Sequence, residues 1–527
     1  MHSPPNAARP VDSSLNAARR ARELAVVAEE TVDVLVVGLG ATGAGAALDA
    51  ASRGLSVAAI DAHDLAFGTS RFSSKLIHGG LRYLARGQVG VARESAVERG
   101  VLLRRTAPHL VKAHPYVLPL TPEVTRSRAE LLMTGYRLGD ALRAAAGTPR
   151  RLLPGPSRLT AARAHTLAPM LSEDGLRGGL LSWDGRVYDD ARLVVAIART
   201  AAAYGARILT RCRALELTGA GAKVRDELTG AEFGIRARTV INAAGVWAGL
   251  LDPRVSLRPS RGTHLVLRPG TLPGLLSGLH IPIPGESNRF ALVLPQADGR
   301  VHVGLTDEPL DGPVPDVPEV PEEDIRTLLS VLNTVLAVPV AREAVAGAYA
   351  GLRPLLAADG RTADVSRRHA VFADEGATKG GTAGGGVVTV VGGKLTTYRR
   401  MAEDAVDRAI SAGNLPAGRS RTGSIPLVGA VRDHGTVTPR TGAGAGRGRV
   451  PERLVARYGV EAAAVHELVR AHPEEVGLGI TMGELLWSVT HEGALDADDL
   501  LDRRTRIGLV PEDRAAALPA TRAAFTR

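Results

Sequence analysis

The pattern of apolar and polar positions changes sharply at Val32. Residues 1 to about 30 read as a polar arm in which Arg19, Arg20 and Arg22 suit a short helix. Val34, Leu35, Val36 and Val37 then form a continuous apolar run, the pattern of a strand buried on both faces of a parallel sheet. A glycine-rich turn follows, then an alanine-rich helical stretch to Arg53, closed by Gly54 where helices commonly stop. Ser56 to Ile60 repeats the strand pattern, and right-handed crossover makes the two strands parallel. From Arg99 to Gly147 helical patterns dominate, followed by proline-rich loops, and Val187 to Gly205 predicts a helix with Leu193, Val194, Ile197 and Ala201 apolar. Strand-like runs recur at Arg207–Thr210, Thr239–Ile241, His264–Leu267, Ala291–Leu294 and Val301–Val303. Val387–Val391 is a further buried-strand pattern, after which Gly392 and Gly393 open a helix to about Ala412. The Gly/Thr/Arg stretch from Thr441 to Arg449 reads as a linker, and the residues beyond it are helical in pattern.

Composition narrows the class. At roughly 150 residues per domain, 527 residues suggest about three folded units. Hydrophobic residues at 45% and charged residues at 23% give a globular chain with a large core and exclude disorder as the whole answer. The single cysteine, Cys212, reads as an inert core thiol; it excludes an intrachain disulfide or a cysteine-based zinc site and fits a reducing cytosol. His109, His114, His264 and His280 lack metal-ligand spacing, so no metal is assigned, and Trp183, Trp247 and Trp487 read as packing residues. The longest uncharged stretch, Pro269 to Gly285, is broken by prolines and cannot be a continuous membrane helix. The first 30 residues lack the apolar core of a secretory signal. A net charge of +10 favours anionic partners, whether a membrane surface, acidic substrates or nucleic acid, and is a weak signal alone.

The turn after the first strand carries Gly38, Gly40, Gly43 and Gly45 as G-x-G-x-x-G-x-G. The first glycine allows a tight turn, the second lets backbone approach a pyrophosphate, and the third lets helix and strand pack closely. The phosphates then sit at the positive end of the helix. Asp61 stands 23 residues after Gly38, close to the ~20 expected of a carboxylate that binds ribose hydroxyls. This favours FAD or NAD over NADP. The second glycine pair, Gly392-Gly393, places another helix start far along the chain, suited to the negative charge of a reduced flavin; nicotinamide has no such need. FAD is therefore the expected cofactor.

The segment from Gly68 to Leu84, GTSRFSSKLIHGGLRYL, resembles the signature of the FAD-dependent, respiratory glycerol-3-phosphate dehydrogenases. Supporting matches are ERGVLLR from Glu98, APHLV from Ala107, YDDARL from Tyr188, INAAGVW from Ile241, GLTD from Gly304, YAGLRPL from Tyr349 and GGKLTTYR from Gly392. The likeness covers roughly Asp33 to Ala412 and continues more weakly through HEGAL from His491 and DRRTR from Asp502. Asp61 stands where many relatives carry Glu, Arg71-Phe72 replaces small polar residues, and Leu39 replaces a frequent glycine.

The resemblance implies an α/β fold of the D-amino-acid-oxidase type, with a Rossmann-type FAD-binding domain, a mixed-sheet substrate domain and a C-terminal helical domain. The division expected is a polar arm at 1–30, interleaved FAD and substrate domains at 31–430, a linker at 431–450 and a helical domain at 451–527. FAD parts fall near 31–105, 186–258 and 345–415; substrate parts fall near 106–185 and 259–344. The implied activity is oxidation of sn-glycerol 3-phosphate to dihydroxyacetone phosphate, with electrons passed to a quinone by a protein peripheral on the inner face of the cytoplasmic membrane. A homodimer is compatible with this, and no nucleic-acid partner is expected. An oxidase of the same fold that gives electrons to oxygen is the alternative. A basic nucleic-acid-binding protein with a vestigial flavin domain is set aside, because His78, Arg353 and Lys394 are all present.

Oxidising a secondary alcohol with flavin requires hydride transfer from C2 to flavin N5 and loss of the hydroxyl proton. His78 is the favoured proton acceptor, since imidazole at ~6.5 suits general-base work near neutrality. Lys394 and Arg353 complete the catalytic set, Lys394 stabilising alkoxide or reduced-flavin charge. Arg82, Arg353 and Arg367 are the candidates for the phosphate dianion, with Arg368 competing with Arg367, and Tyr83 can hydrogen-bond substrate. Ser73, Ser74, Lys75, Gly79, Gly80, Gly245, Gly392, Gly393, Leu395 and Thr396 join Gly38, Gly40, Gly43, Gly45, Asp61 and Lys394 as the expected FAD contacts.

Overall fold

A computed structural model describes residues 12–84, 87–286, 289–357, 368–373, 386–431 and 449–527, with the side chains of Leu81 and Arg82 excepted. Thr31–Val37 is central in the first sheet, parallel to Val57–Ile60 on one side and to Glu232–Asn242 on the other. Val387–Val391 and Arg207–Leu209 extend the parallel order, Ala370–Ala373 adds an antiparallel edge, and Cys212–Thr218 with Gly221–Asp226 forms an appended hairpin. The apolar runs are continuous because helices cover both faces. Ala41–Ser52, Asp190–Ala203 and Tyr398–Gly413 pack on one face, and their alanines allow the close approach. Ala17–Glu29 covers part of the other face.

The second sheet runs Glu308–Pro309, Ser260–Leu267, Val301–Gly304, Phe290–Pro295, Gly278–Pro282, Val111–Pro119, Gly179–Val187 and Leu76–Ile77, with Val345–Arg353 paired to Ser260–Leu267 and Ser157–Leu159 to Gly179–Val187. Alternation divides its faces. Leu265, Val293, Val303 and Leu279 pack against Ile325, Leu328 and Leu332 of the Glu322–Asn333 helix. His264, His302, His280, Tyr116, His114 and Asp184 share the other face by register. Met133 and Tyr136 of the Arg126–Ala145 helix cover one end of that face, and Leu509 and Val510 pack on Val266 at another. The C-terminal unit contains the helices Glu452–Tyr458, Ala462–Ala471, Met482–His491 and Pro511–Ala523 and a short hairpin, Glu475–Gly477 with Ile480–Thr481.

Three expectations change. In the N-terminal arm the short helix expected at Arg19–Arg22 runs over Ala17–Glu29, but it is not a merely polar element: Val27 is buried and Arg20 pairs with buried Asp226. Arg99 to Gly147 is not wholly helical: Val111–Pro119 lies inside the second sheet, its strand pattern masked by Lys112, His114 and two prolines. Leu76–Ile77 and Val345–Arg353, assigned to the FAD parts, pair into the second sheet. The expected linker falls mostly on residues 432–448, outside the described residues.

Candidate active site

The glycine turn has the geometry its spacing predicts. Gly38 lies at φ +99°, and a Cβ there would stand 2.6 Å from the Ala243 carbonyl oxygen. A Cβ on Gly43 would stand 1.7 Å from the Gly38 oxygen, and one on Gly45 would press on Ala402 and Tyr398. Gly40 caps the Ala41–Ser52 helix, where the Ser70 hydroxyl accepts from Ala41 N at 2.9 Å. Asp61 accepts from Leu39 N (2.6 Å) and His63 N (2.8 Å); burial pushes its carboxyl up to about 6 despite those two donors. A glycine-rich turn that opens a helix beside a carboxylate fits the pyrophosphate and ribose of a dinucleotide. Gly245 (φ +60°) follows the neighbouring strand, and Gly392 (φ +82°) and Gly393 (φ +72°) turn the chain after Val387–Val391.

A second group gathers where the two sheets meet. His78 N donates to the Thr396 hydroxyl at 3.1 Å, tying Leu76–His78 to the turn Leu395–Thr397. The His78 and Tyr83 rings stack with centroids 6.4 Å apart, and Lys394 Nζ lies 4.2 Å from the Tyr83 ring centroid. Lys394 Nζ also donates to Ser95 Oγ. Gly79 N is held by both Asp184 carboxylate oxygens (3.1 and 3.2 Å), and Arg99 pairs with Asp184 at 2.6 Å. A Cβ on Gly79 would stand 2.4 Å from Arg99 Nη1 and would have to displace the guanidinium that pairs with Asp184.

Other expected contacts lie elsewhere. Ser73 N and Oγ donate to buried Asp190 (2.9 and 2.8 Å), and Lys75 pairs with the same carboxylate at 3.2 Å. Burial lowers the Lys75 pKa, with Asp190 acting against it. Ser74 Oγ lies 2.9 Å from His264 Nε2. Arg353 is fixed at the end of its strand by Ser260 Oγ (3.1 Å), Asp307 (3.3 Å) and the Thr306 carbonyl (3.0 Å), with its guanidinium in the space that a Cβ on Gly262 would take. Arg82 belongs to the short Leu81–Leu84 helix, and Arg367 lies outside the described residues.

Sequence reading missed Ser95, Arg99, Asp184 and Asp307, and weighed His264 only as a metal ligand. His264 is buried, stacks on Tyr349 with centroids 4.9 Å apart, and has a buried Nδ1 without a hydrogen bond. Burial first, then Lys75 and Arg353, pushes its pKa down to about 3, so the imidazole is neutral. Its only signal in the sequence was its place in an apolar strand. Among the described residues no cluster of His, Cys, Asp and Glu could hold a metal ion.

These features define a two-sheet flavoprotein, and residues 33–399 match the family model described as "FAD dependent oxidoreductase". Residues 420–526 match the "C-terminal domain of alpha-glycerophosphate oxidase". "Glycerol-3-phosphate dehydrogenase 1" of Mycobacterium tuberculosis is 53% identical over 515 residues, spanning 96% of this chain and 97% of that protein. The mitochondrial glycerol-3-phosphate dehydrogenase of Bos taurus is 34% identical over 93% of this chain and 70% of its own length. A crystal structure of the Bacillus halodurans glycerol-3-phosphate dehydrogenase complexed with FAD superposes with a TM-score of 0.73 at 26% identity, covering 97% of this chain and 94% of that one. The chain belongs to the FAD-dependent glycerol-3-phosphate dehydrogenase family, and its cofactor is FAD.

Proposed function

We propose that this protein oxidises sn-glycerol 3-phosphate to dihydroxyacetone phosphate and delivers the electrons to a membrane quinone. One arrangement carries the reading: an imidazole, a phenol and an ammonium group gathered at His78, Tyr83 and Lys394 on the seam between the dinucleotide unit and the second sheet. FAD, held by the Gly38–Gly45 turn, Asp61 and the Gly392-Gly393 turn, supplies the hydride acceptor.

The chain's own groups do the rest. His78 takes the proton of the C2 hydroxyl. Lys394 stabilises the negative charge that develops as that proton leaves. Arg353, with its fork fixed by Asp307 and Ser260, holds the phosphate, assisted by Arg82 and Arg367. Ser73, Ser74 and Lys75 act through Asp190 and His264 to fix the turn that leads into His78.

No helix among the described residues is long and apolar enough to cross a membrane. Delivery of electrons to a membrane quinone calls for attachment at the membrane surface, in this reading peripherally at the inner face of the cytoplasmic membrane. The oxidase named by the C-terminal family model is the second reading. The test is the visible spectrum of FAD-loaded protein mixed with sn-glycerol 3-phosphate without oxygen: bleaching, reversed by a soluble quinone analogue, is the expected result. A flavin that never bleaches overturns the activity. Peroxide produced in step with substrate consumed in air, with no quinone reduction, replaces the dehydrogenase by the oxidase.

A further inference from the structure

We propose that Ser95 is a positioning residue that fixes the Lys394 ammonium beside Tyr83 and His78; the inference rests on the role given above to Lys394. Ser95 is fully buried in the Val89–Val101 helix. Its hydroxyl donates to the Val91 carbonyl at 2.5 Å and accepts from Lys394 Nζ. Donation to the helix orients the hydroxyl, leaving its lone pairs toward the lysine. A Cβ on Gly80 would stand 3.3 Å from Ser95 Oγ and 2.8 Å from the Tyr83 ring, so the serine also abuts the loop that follows His78.

The helix that carries Ser95 is itself pinned on both sides. Three residues on, Glu98 holds Arg399 through two bonds (2.8 and 2.6 Å), joining the helix to the Tyr398–Gly413 helix that follows Lys394. One residue further, Arg99 pairs with Asp184, which holds Gly79 N. Ser95 Oγ is therefore a fixed point relative to both the lysine turn and the His78 loop. A hydroxyl at this point has a consequence that a carboxylate would not. It holds the ammonium by a charge-assisted hydrogen bond and itself brings no negative charge beside the developing anion.

The test uses FAD-loaded, full-length protein carrying Ser95→Ala, Lys394→Met and both together. Ser95→Ala should slow anaerobic bleaching by glycerol 3-phosphate roughly tenfold with little change in KM, because a hydrogen bond to a charged group is lost. In the Lys394→Met background it should have no further effect. Sulfite affinity, read as loss of visible absorbance, reports positive charge beside the bound flavin; it should weaken with Ser95→Ala alone and not change further in the double variant. If Ser95→Ala does not load FAD, Ser95→Cys, close in size but a poor acceptor, takes its place. Equal loss in both backgrounds shows a merely structural serine and overturns the proposal. A silent Ser95→Ala beside a crippled Lys394→Met overturns the positioning role alone. A Lys394→Met variant with unchanged rate and sulfite affinity removes Lys394 from the reaction, and the proposal with it.

Discussion

Replacing Glu492 by Gln tests how the C-terminal unit is held to the dinucleotide unit. Glu492 is fully buried and pairs through both oxygens with Arg192 (2.7 and 2.8 Å) on the Asp190–Ala203 helix, while Ser488 Oγ donates a third bond at 3.0 Å. Burial alone would raise the carboxyl pKa. The Arg192 guanidinium and its hydrogen bonds outweigh burial and hold it at about 2. A carboxyl depressed on folding contributes stability above its unfolded pKa and loses it as pH falls toward the folded value. From the ordinary value of 4.5 to about 2, the shift corresponds to about 3 kcal/mol. Removing one partner of a buried pair costs about 3–5 kcal/mol, in agreement. Urea unfolding at pH 7 should therefore place Glu492→Gln about 3 kcal/mol below the wild type. Because the wild type alone loses this term in acid, the gap should close by about half or more by pH 3. A gap under about 1 kcal/mol at pH 7, or one unchanged between pH 7 and pH 3, refutes the reasoning.

Further expectations are direct. Gly38→Ala, whose Cβ meets the Ala243 carbonyl and whose φ of +99° disfavours a side chain, should yield protein purified without its visible flavin absorbance. Arg353→Ala should lower kcat/KM for glycerol 3-phosphate by roughly 100-fold, while that for glycerol changes little, since a charge-assisted pair is lost only with the phosphate. Equal losses on both substrates would move the phosphate site elsewhere. Cys212 is buried with its thiol pushed up to about 12, so a thiol reagent at pH 8 should react only after urea is added.

What was legible in the sequence followed from backbone demands. The glycines at 38, 40, 43 and 45 and the acid at 61 announce the dinucleotide turn because their spacing follows from the turn itself: Gly43 packs on the Gly38 oxygen and Asp61 accepts from Leu39 N, while the room that Gly38 and Gly45 leave for Ala243 and Ala402 could not be read from spacing. His78, Tyr83 and Lys394 were legible only through motif resemblance, since 311 residues separate Tyr83 from Lys394. Ser95, Arg99 and Asp184 carry no local sign of their task. Glu98 and Arg99 stand within a family motif, yet their partners Arg399 and Asp184 lie on other elements, and spacing along a chain is blind to such pairs. Arg20 shows the same limit from the other side. It reads as surface charge because Asp226, which neutralises it inside the protein, comes 206 residues later.

The pH profile separates His78 from the other imidazole near the seam, His264, as the group that takes the substrate proton. A general base works only when deprotonated, so the rate falls as pH drops through its pKa. His264 is buried against Tyr349 and faces the charges of Lys75 and Arg353, which together hold it at about 3. As the base it would leave kcat/KM flat from pH 8 to about pH 4. His78 stands on a seam loop rather than in a sheet interior, with its backbone fixed by Thr396 and its ring stacked on Tyr83. An acid limb well above pH 4 therefore excludes His264 as the base. His78→Ala should then cost roughly 100-fold or more in turnover and abolish that limb, with flavin absorbance retained. A flat acid side that survives in His78→Ala and disappears with His264→Ala would transfer the base to the second sheet, leaving His78 as the residue that orders the seam.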